Sequence, residues 1–202
     1  MTDPGREHRL DHIVVVMFEN RSFDNLLGYL YQPGEVERFE GVLGRDLSNP
    51  IPPYARDADR GSVPMHVARI LDTPDPDPGE EHPHTNTQFF GTVSPPGNQF
   101  KNAEKMEAPF NAPPDPATEP TMNGFVMDYI NSFRSERGRL PHYEEYEQIM
   151  TGFVPEQLPV FSALAKGFAC FDHWFCEVPT QTFPNRSFFH AASSSGFVVN
   201  HP

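Results

Sequence analysis

The apolar run Ile13-Val14-Val15-Val16-Met17-Phe18 constrains the fold of this chain more than any other segment. It is continuous and rich in β-branched residues, which predicts a strand covered on both faces, as strands inside parallel sheets are. The expected class is therefore α/β. A buried parallel strand leads to the carboxyl edge of its sheet, where open α/β folds place their ligands. The next residues here are Glu19-Asn20-Arg21-Ser22-Phe23-Asp24. Glu19 and Asn20 offer two hard oxygen donors to a divalent cation. On spacing alone, a strand end followed by a polar turn explains the same residues.

Breakers divide the rest of the chain. Ser22 is a natural N-cap for a short helix over 23–30. From Gln32 to about Pro120 the sequence is punctuated by Pro, Gly and Asp, most densely at Thr73-Pro74-Asp75-Pro76-Asp77-Pro78. So long a segment without periodicity is either disordered or a functional cover over a site. Residues 32–120 are thus expected to be a Pro-rich irregular insertion or cover. Periodicity returns at Asn123, a cap for a helix whose face is Phe125, Val126, Tyr129, Ile130 and Phe133 and whose stop is Gly138. Glu144, Glu145 and Glu147 predict a shorter helix with a solvated acidic face. A third helix is expected over 158–166, with Pro159 in its first turn and Gly167 behind it. Phe168 to Phe171 then reads as a second short strand. Strand, helix and strand in this order fit a parallel sheet with crossovers.

Beyond that strand comes Val178-Pro179-Thr180-Gln181-Thr182-Phe183-Pro184-Asn185-Arg186-Ser187-Phe188-Phe189-His190-Ala191-Ala192-Ser193-Ser194-Ser195-Gly196. Pro184 suits a first helical position, where its missing N–H is no loss. Phe188, Ala191, Ala192 and Ser195 share one face, and Gly196 is a natural stop. Thr182 is therefore expected just ahead of a helix N-terminus, whose free N–H groups favour phosphate. A hydroxyl nucleophile needs its pKa lowered, and a bound metal can do this without a neighbouring histidine. Glu19 and Asn20 would hold that metal, with Thr182 completing their side of its shell. Composition cannot separate Thr180 from Thr182, and both are also ordinary loop hydroxyls.

Together the two segments resemble a bacterial phosphoesterase family that contains the non-specific phospholipases C and a group of acid phosphatases. Its pattern of a strand, Glu-Asn-Arg-Ser-Phe-Asp, and a later Pro-x-x-Thr-x-Pro-Asn-Arg stretch appears here as Glu19 to Asp24 and Pro179 to Arg186. The resemblance extends to 77–84, 122–125 and 158–165. It implies an alkaline-phosphatase-like parallel sheet flanked by helices, with long irregular loops. It also implies a metal-dependent phosphoester hydrolase that works through a phosphothreonine. By the same resemblance Glu19 and Asn20 are metal ligands, and Thr182 is both ligand and nucleophile, its place three residues before Asn-Arg selecting it over Thr180. Asn185 and His84 become phosphate or leaving-group contacts. The cation would be one or more of calcium, magnesium or zinc, and the substrate a phosphate ester or phospholipid. The family's remaining ligands, an acidic pair and further histidines, lie in a second half of the domain, and no Asp-Asp pair follows Thr182 here. Residues 1–202 are thus expected to be the N-terminal portion of a single domain, its exposed sheet edge open to self-association. The alternative is a non-catalytic remnant or interaction module.

Composition narrows the partners. A formal charge of -13 argues against nucleic acid, whose phosphates need a basic surface, and mildly against anionic membranes. Eighteen Phe supply a core, while 23 Pro imply long irregular stretches. Cys170 and Cys176 are too few for a disulfide framework and read as reduced thiols. Residues 1–12 contain no apolar leader, so a cytoplasmic location is expected, and the apolar run near residue 15 is too short to span a bilayer.

Overall fold

Ser22 starts the first helix as its sequence suggests. Its hydroxyl accepts from the Asn25 N–H at 3.1 Å, and the helix α1 runs over Phe23–Leu27 before Gly28 ends it. This computed structural model describes residues 12–200 apart from Val16 and Phe18. After α1 come the strands β1 (Ser48–Pro50), β2 (Ser62–Pro64) and β3 (His66–Val67), then helix α2 (His82–Phe90). Helices α3 (Phe125–Arg137) and α4 (Tyr143–Tyr146) follow, then strand β4 (Thr151–Gly152) and helices α5 (Pro159–Gly167) and α6 (Thr182–Ala191). The architecture is mixed α/β with small sheets. β1 and β2 pair antiparallel with Asn49 opposite Val63, and β3 and β4 pair parallel with His66 opposite Thr151.

α3 organises the core. Val126, Tyr129, Ile130 and Phe133 are buried at helical spacing, against Ile51 and Val63 from the β1–β2 ribbon and Tyr146 from α4. Burying each such side chain contributes about 1.5–3 kcal/mol. Gly138 ends α3 with a left-handed φ of 71°, as its position predicts. The N-cap is Gly124 and not Asn123, whose Oδ1 accepts from the Thr121 hydroxyl instead. Packing decides this: a Cβ at Gly124 would sit 1.8 Å from the Thr87 carbonyl oxygen, so only glycine lets α2 and α3 approach. Asn49 completes the start of α3, accepting from the Val126 N–H and donating to the Met122 carbonyl.

The Pro-rich segment 32–120 is built into this core through Ile51 and Val63, and side-chain amides do there what ladders do in a sheet. Asn98 accepts the Glu107 N–H at 2.8 Å and donates to the Glu107 carbonyl at 2.9 Å. Asn111, buried with a left-handed φ of 63°, donates to the Thr87 hydroxyl at 2.9 Å and accepts the Ser94 N–H at 3.0 Å. Irregular backbone can be buried only when such partners exist.

Two expected strands are absent among the described residues. Ile13, Val14, Val15 and Met17 are exposed and form no ladder, while Val16 and Phe18 lie outside the described residues. Phe168 to Phe171 is likewise no strand, with Phe168 81% exposed. A strand needs a hydrogen-bonded neighbour and cover on its apolar face, and no described segment supplies either to these runs. On the acidic face of α4, Glu145 takes both Arg139 nitrogens at 2.8 and 2.6 Å in a pair that stays open to solvent.

Candidate functional site

Three segments distant in sequence meet at one place: Glu19-Asn20, the acidic loop 77–81 leading into α2, and the loop 178–181 leading into α6. The first is carried by α1, which Asn25 ties to β4 by donating to the Thr151 carbonyl at 2.7 Å and accepting the Phe153 N–H at 2.8 Å. Glu19 is turned toward α6, where its carboxylate pairs with the Arg186 guanidinium. Asn20 adopts a left-handed φ of 58°, a conformation asparagine tolerates better than most residues. The acidic loop comes close enough to feel Glu19. The Glu80 carboxyl is pushed above its usual range by burial and by the charges of Asp77, Glu81 and Glu19. His82, at the first position of α2, donates from Nδ1 to the Pro179 carbonyl at 3.2 Å and accepts from Asn86 at Nε2.

The helix carrying Thr182 begins two residues earlier than Pro184 suggests. Thr182 is itself the first helical residue and Pro184 the third, which still costs no hydrogen bond because the first four helical N–H groups are unpaired within a helix. Asn200 reaches back over this end and accepts the Phe183 N–H at 2.8 Å. The two threonines differ. The Thr180 hydroxyl donates to the Val198 carbonyl at 2.6 Å, whereas no hydrogen bond engages the Thr182 hydroxyl among the described residues. Asn185 braces the loop: its Nδ2 donates to the carbonyls of Val178, Thr180 and Gln181, each at 3.0 Å, and its Oδ1 accepts the Val178 N–H. His84 lies inward of the loop. It is 4% exposed, and its Nδ1 donates to Asp128 Oδ1 at 2.8 Å.

The geometry brings Glu19, Arg186, Glu80, His82 and the first turn of α6 together, while Asn185 and His84 are held in internal networks. Sequence reasoning gave no role to Arg186 or Asp128. Arg186 stood inside the quoted motif, and its charge opposite Glu19 was the available signal. Asp128 had none: it shares the polar side of α3 with Asn131 and Ser132, which are buried as well, and spacing does not set it apart from them.

Glu19, Asn20 and Thr182 offer a divalent cation four side-chain oxygens, one of them already on the Arg186 guanidinium, whereas calcium takes six to eight and magnesium six. Among the described residues, no three His, Cys, Asp or Glu side chains gather closely enough to hold a metal ion. The described residues therefore do not make a complete metal site. What the place does combine is a hydroxyl at a helix N-terminus that no described residue engages, where phosphate is favoured, and a carboxylate held by a guanidinium.

Residues 10–200 match the model of the Phosphoesterase family. The chain is similar to non-specific phospholipase C1 of Arabidopsis thaliana, with 34% identity over 188 residues, 93% of this chain and 28% of that protein. It is 34% identical to non-specific phospholipase C3 of the same plant over 191 residues, 93% of this chain and 30% of the relative. Non-specific phospholipase C5 is 32% identical over 201 residues, 98% of this chain and 33% of the relative. The chain thus spans about a third of these relatives' length or less.

Proposed function

This chain belongs to the phosphoesterase family, and from that premise we propose that it carries the nucleophile of a phosphoester hydrolase. The relatives' names point to phospholipids or other phosphate esters as substrate. The carrying observation is the difference between the threonines: Thr180 is committed to a carbonyl, and Thr182 stands unengaged at the first turn of α6 beside the Glu19–Arg186 pair. Thr182 Oγ attacks phosphorus in line. The Oγ–P bond forms as the bond to the leaving alcohol breaks, the threonine gives up its proton and the departing oxygen gains one. Water then cleaves the phosphothreonine, regenerating Thr182. The helix N-terminus stabilises negative charge on the phosphoryl oxygens.

Glu19 and Asn20 are, on this reading, donors to a calcium, magnesium or zinc ion whose other ligands come from groups outside the described set. When bound, such an ion would neutralise phosphoryl charge and lower the pKa of the threonine. The same reading places the chain in an alkaline-phosphatase-like α/β fold.

A second reading, an interaction module without turnover that self-associates, is favoured by the exposure of Phe168, Phe171, Trp174 and Phe175. One experiment separates the two: acid-quench the chain after brief incubation with an aryl phosphate and divalent cation, then locate phosphate by peptide mass spectrometry. Phosphate on Thr182, lost in Thr182→Ala and partly kept in Thr182→Ser, is the expected result. Phosphate on Thr180 or on Ser193 to Ser195 overturns the nucleophile assignment. No phosphoenzyme, with a concentration-dependent increase in size on a column, favours the second reading.

A further inference from the structure

The buried pair beneath the acidic loop has a closed geometry. Asp128 is 2% exposed, yet both its oxygens are used: Oδ1 accepts from His84 Nδ1 at 2.8 Å, and Oδ2 accepts from Gln88 Nε2 at 2.8 Å. Gln88 Nε2 also donates to the Gly79 carbonyl at 2.8 Å. Gly79 in turn lies flat against the imidazole, since a Cβ there would stand 2.2 Å from His84 Cγ. Loop, ring, carboxylate and amide thus form one cycle, Gly79–His84–Asp128–Gln88–Gly79. The ring is fixed from behind and beneath, with Nε2 left facing Glu81 at 4.0 Å, on the acidic loop that borders Glu19.

A carboxylate buried with no purpose beyond packing is costly, because removing it from water costs several kcal/mol that its pairing must recover. A histidine whose Nδ1 is taken by a carboxylate has its tautomer and orientation set, and its Nε2 is the working nitrogen. We propose that Asp128 is the positioning residue of the candidate site, holding His84 so that Nε2 meets a phosphoryl or leaving-group oxygen at the mouth of the acidic loop. This rests on the phosphoester reading above. Asp128 itself touches no substrate and acts through the ring.

The charges around His84 agree with this role. Burial alone would push its pKa down, but Asp128 by charge and hydrogen bond, with Glu81 at the start of α2 and Glu136 on α3, outweighs burial and holds it above the usual histidine value. Gln88 and the Gly79 backbone contribute no charge.

The test is histidine side-chain NMR on the 15N-labelled chain. In the wild type, His84 is expected to carry its proton on Nδ1 when neutral and to titrate above an ordinary histidine. Asp128→Asn keeps the shape but removes the charge, so the midpoint should fall. Gly79→Ala displaces the ring without adding or removing an ionisable group. Addition of inorganic phosphate with calcium should move the wild-type His84 Nε2 signal and leave both variants unchanged. An unaltered midpoint in Asp128→Asn, or an equal phosphate response in wild type and variants, overturns the positioning role. Wild-type silence toward phosphate, with the midpoint shift intact, instead sinks the phosphoester reading of His84 and leaves only a structural pair.

Discussion

Phe133 and Phe168 are the same residue in two different situations. Phe133 is 1% exposed inside the body formed by β1, β2, α3 and α4, and Phe168 stands 81% exposed at the end of α5. The contrast extends to their neighbourhoods. Around Phe133, the ribbon and the helices supply cover from several directions. From α5 to the end of α6, Phe171, Trp174, Phe175 and Phe183 all face outward. Hydrophobicity alone does not bury a side chain. Another element must close over it, and only the first region has such elements among the described residues. The candidate site lies on the seam: α2 and its acidic loop belong to the closed body, while α6 and Thr182 belong to the open one.

The largest effect should separate the two regions outright. Phe133→Ala is expected to cost about 3–5 kcal/mol, read as a lower midpoint in denaturant unfolding followed by near-UV circular dichroism. Phe168→Ala in the same assay should change stability by less than about 0.5 kcal/mol. Equal losses would mean that the open region is closed in solution by something these residues touch.

Next in size are the polar brackets of the Pro-rich segment. Asn111→Ala leaves the Thr87 hydroxyl and the Ser94 N–H without their partner, and is expected to cost about 1–3 kcal/mol. Gly124→Ala should destabilise comparably, about 1–3 kcal/mol, because the added carbon meets the Thr87 carbonyl at 1.8 Å. If either variant melts like the wild type, segment 32–120 does not belong to the closed body in the way described.

A smaller effect follows acid. The Glu145 carboxyl is held down to about 2, chiefly by its hydrogen bond to Arg139, with the His142 N–H adding to it. A folded-state pKa below the ordinary value means the stabilisation is present at neutral pH and is lost as pH falls from the ordinary carboxylate range toward 2. The pair is largely solvent-facing, so the loss should be no more than about 1 kcal/mol. Arg139→Ala should remove this part of the acid sensitivity, measured as the thermal midpoint between pH 5 and 2.5.

The smallest effect concerns the seam. Glu19→Ala removes an exposed ion pair with Arg186, which should change stability by no more than about 1 kcal/mol. Phosphoenzyme formation should nonetheless be abolished. Full phosphorylation of Thr182 in the Glu19→Ala chain would separate Glu19 from the chemistry.

Local features were legible in the sequence. Ser22 capped α1, the spacing of Val126, Tyr129, Ile130 and Phe133 marked α3's buried face, and Gly138 and Gly167 stood at helix ends, because capping and periodicity depend on residues a few positions apart. The two motifs were legible as well, together with the family they indicate. The runs Ile13–Phe18 and Phe168–Phe171 were read as strands from composition, but a strand is completed by a neighbour that its own residues do not encode.

What the sequence determined by itself was which residues are chemically able to act: Glu19, Asn20, His84, Thr182 and Asn185. Only the tertiary structure decided which of them are engaged elsewhere. It committed Thr180 to Val198 and Asn185 to its own loop, paired Glu19 with Arg186 across 167 positions, and drew His84 onto Asp128 behind Gly79. The reason is physical: a hydrogen bond is settled over about 3 Å of space, and sequence distance carries no information about which groups come that close.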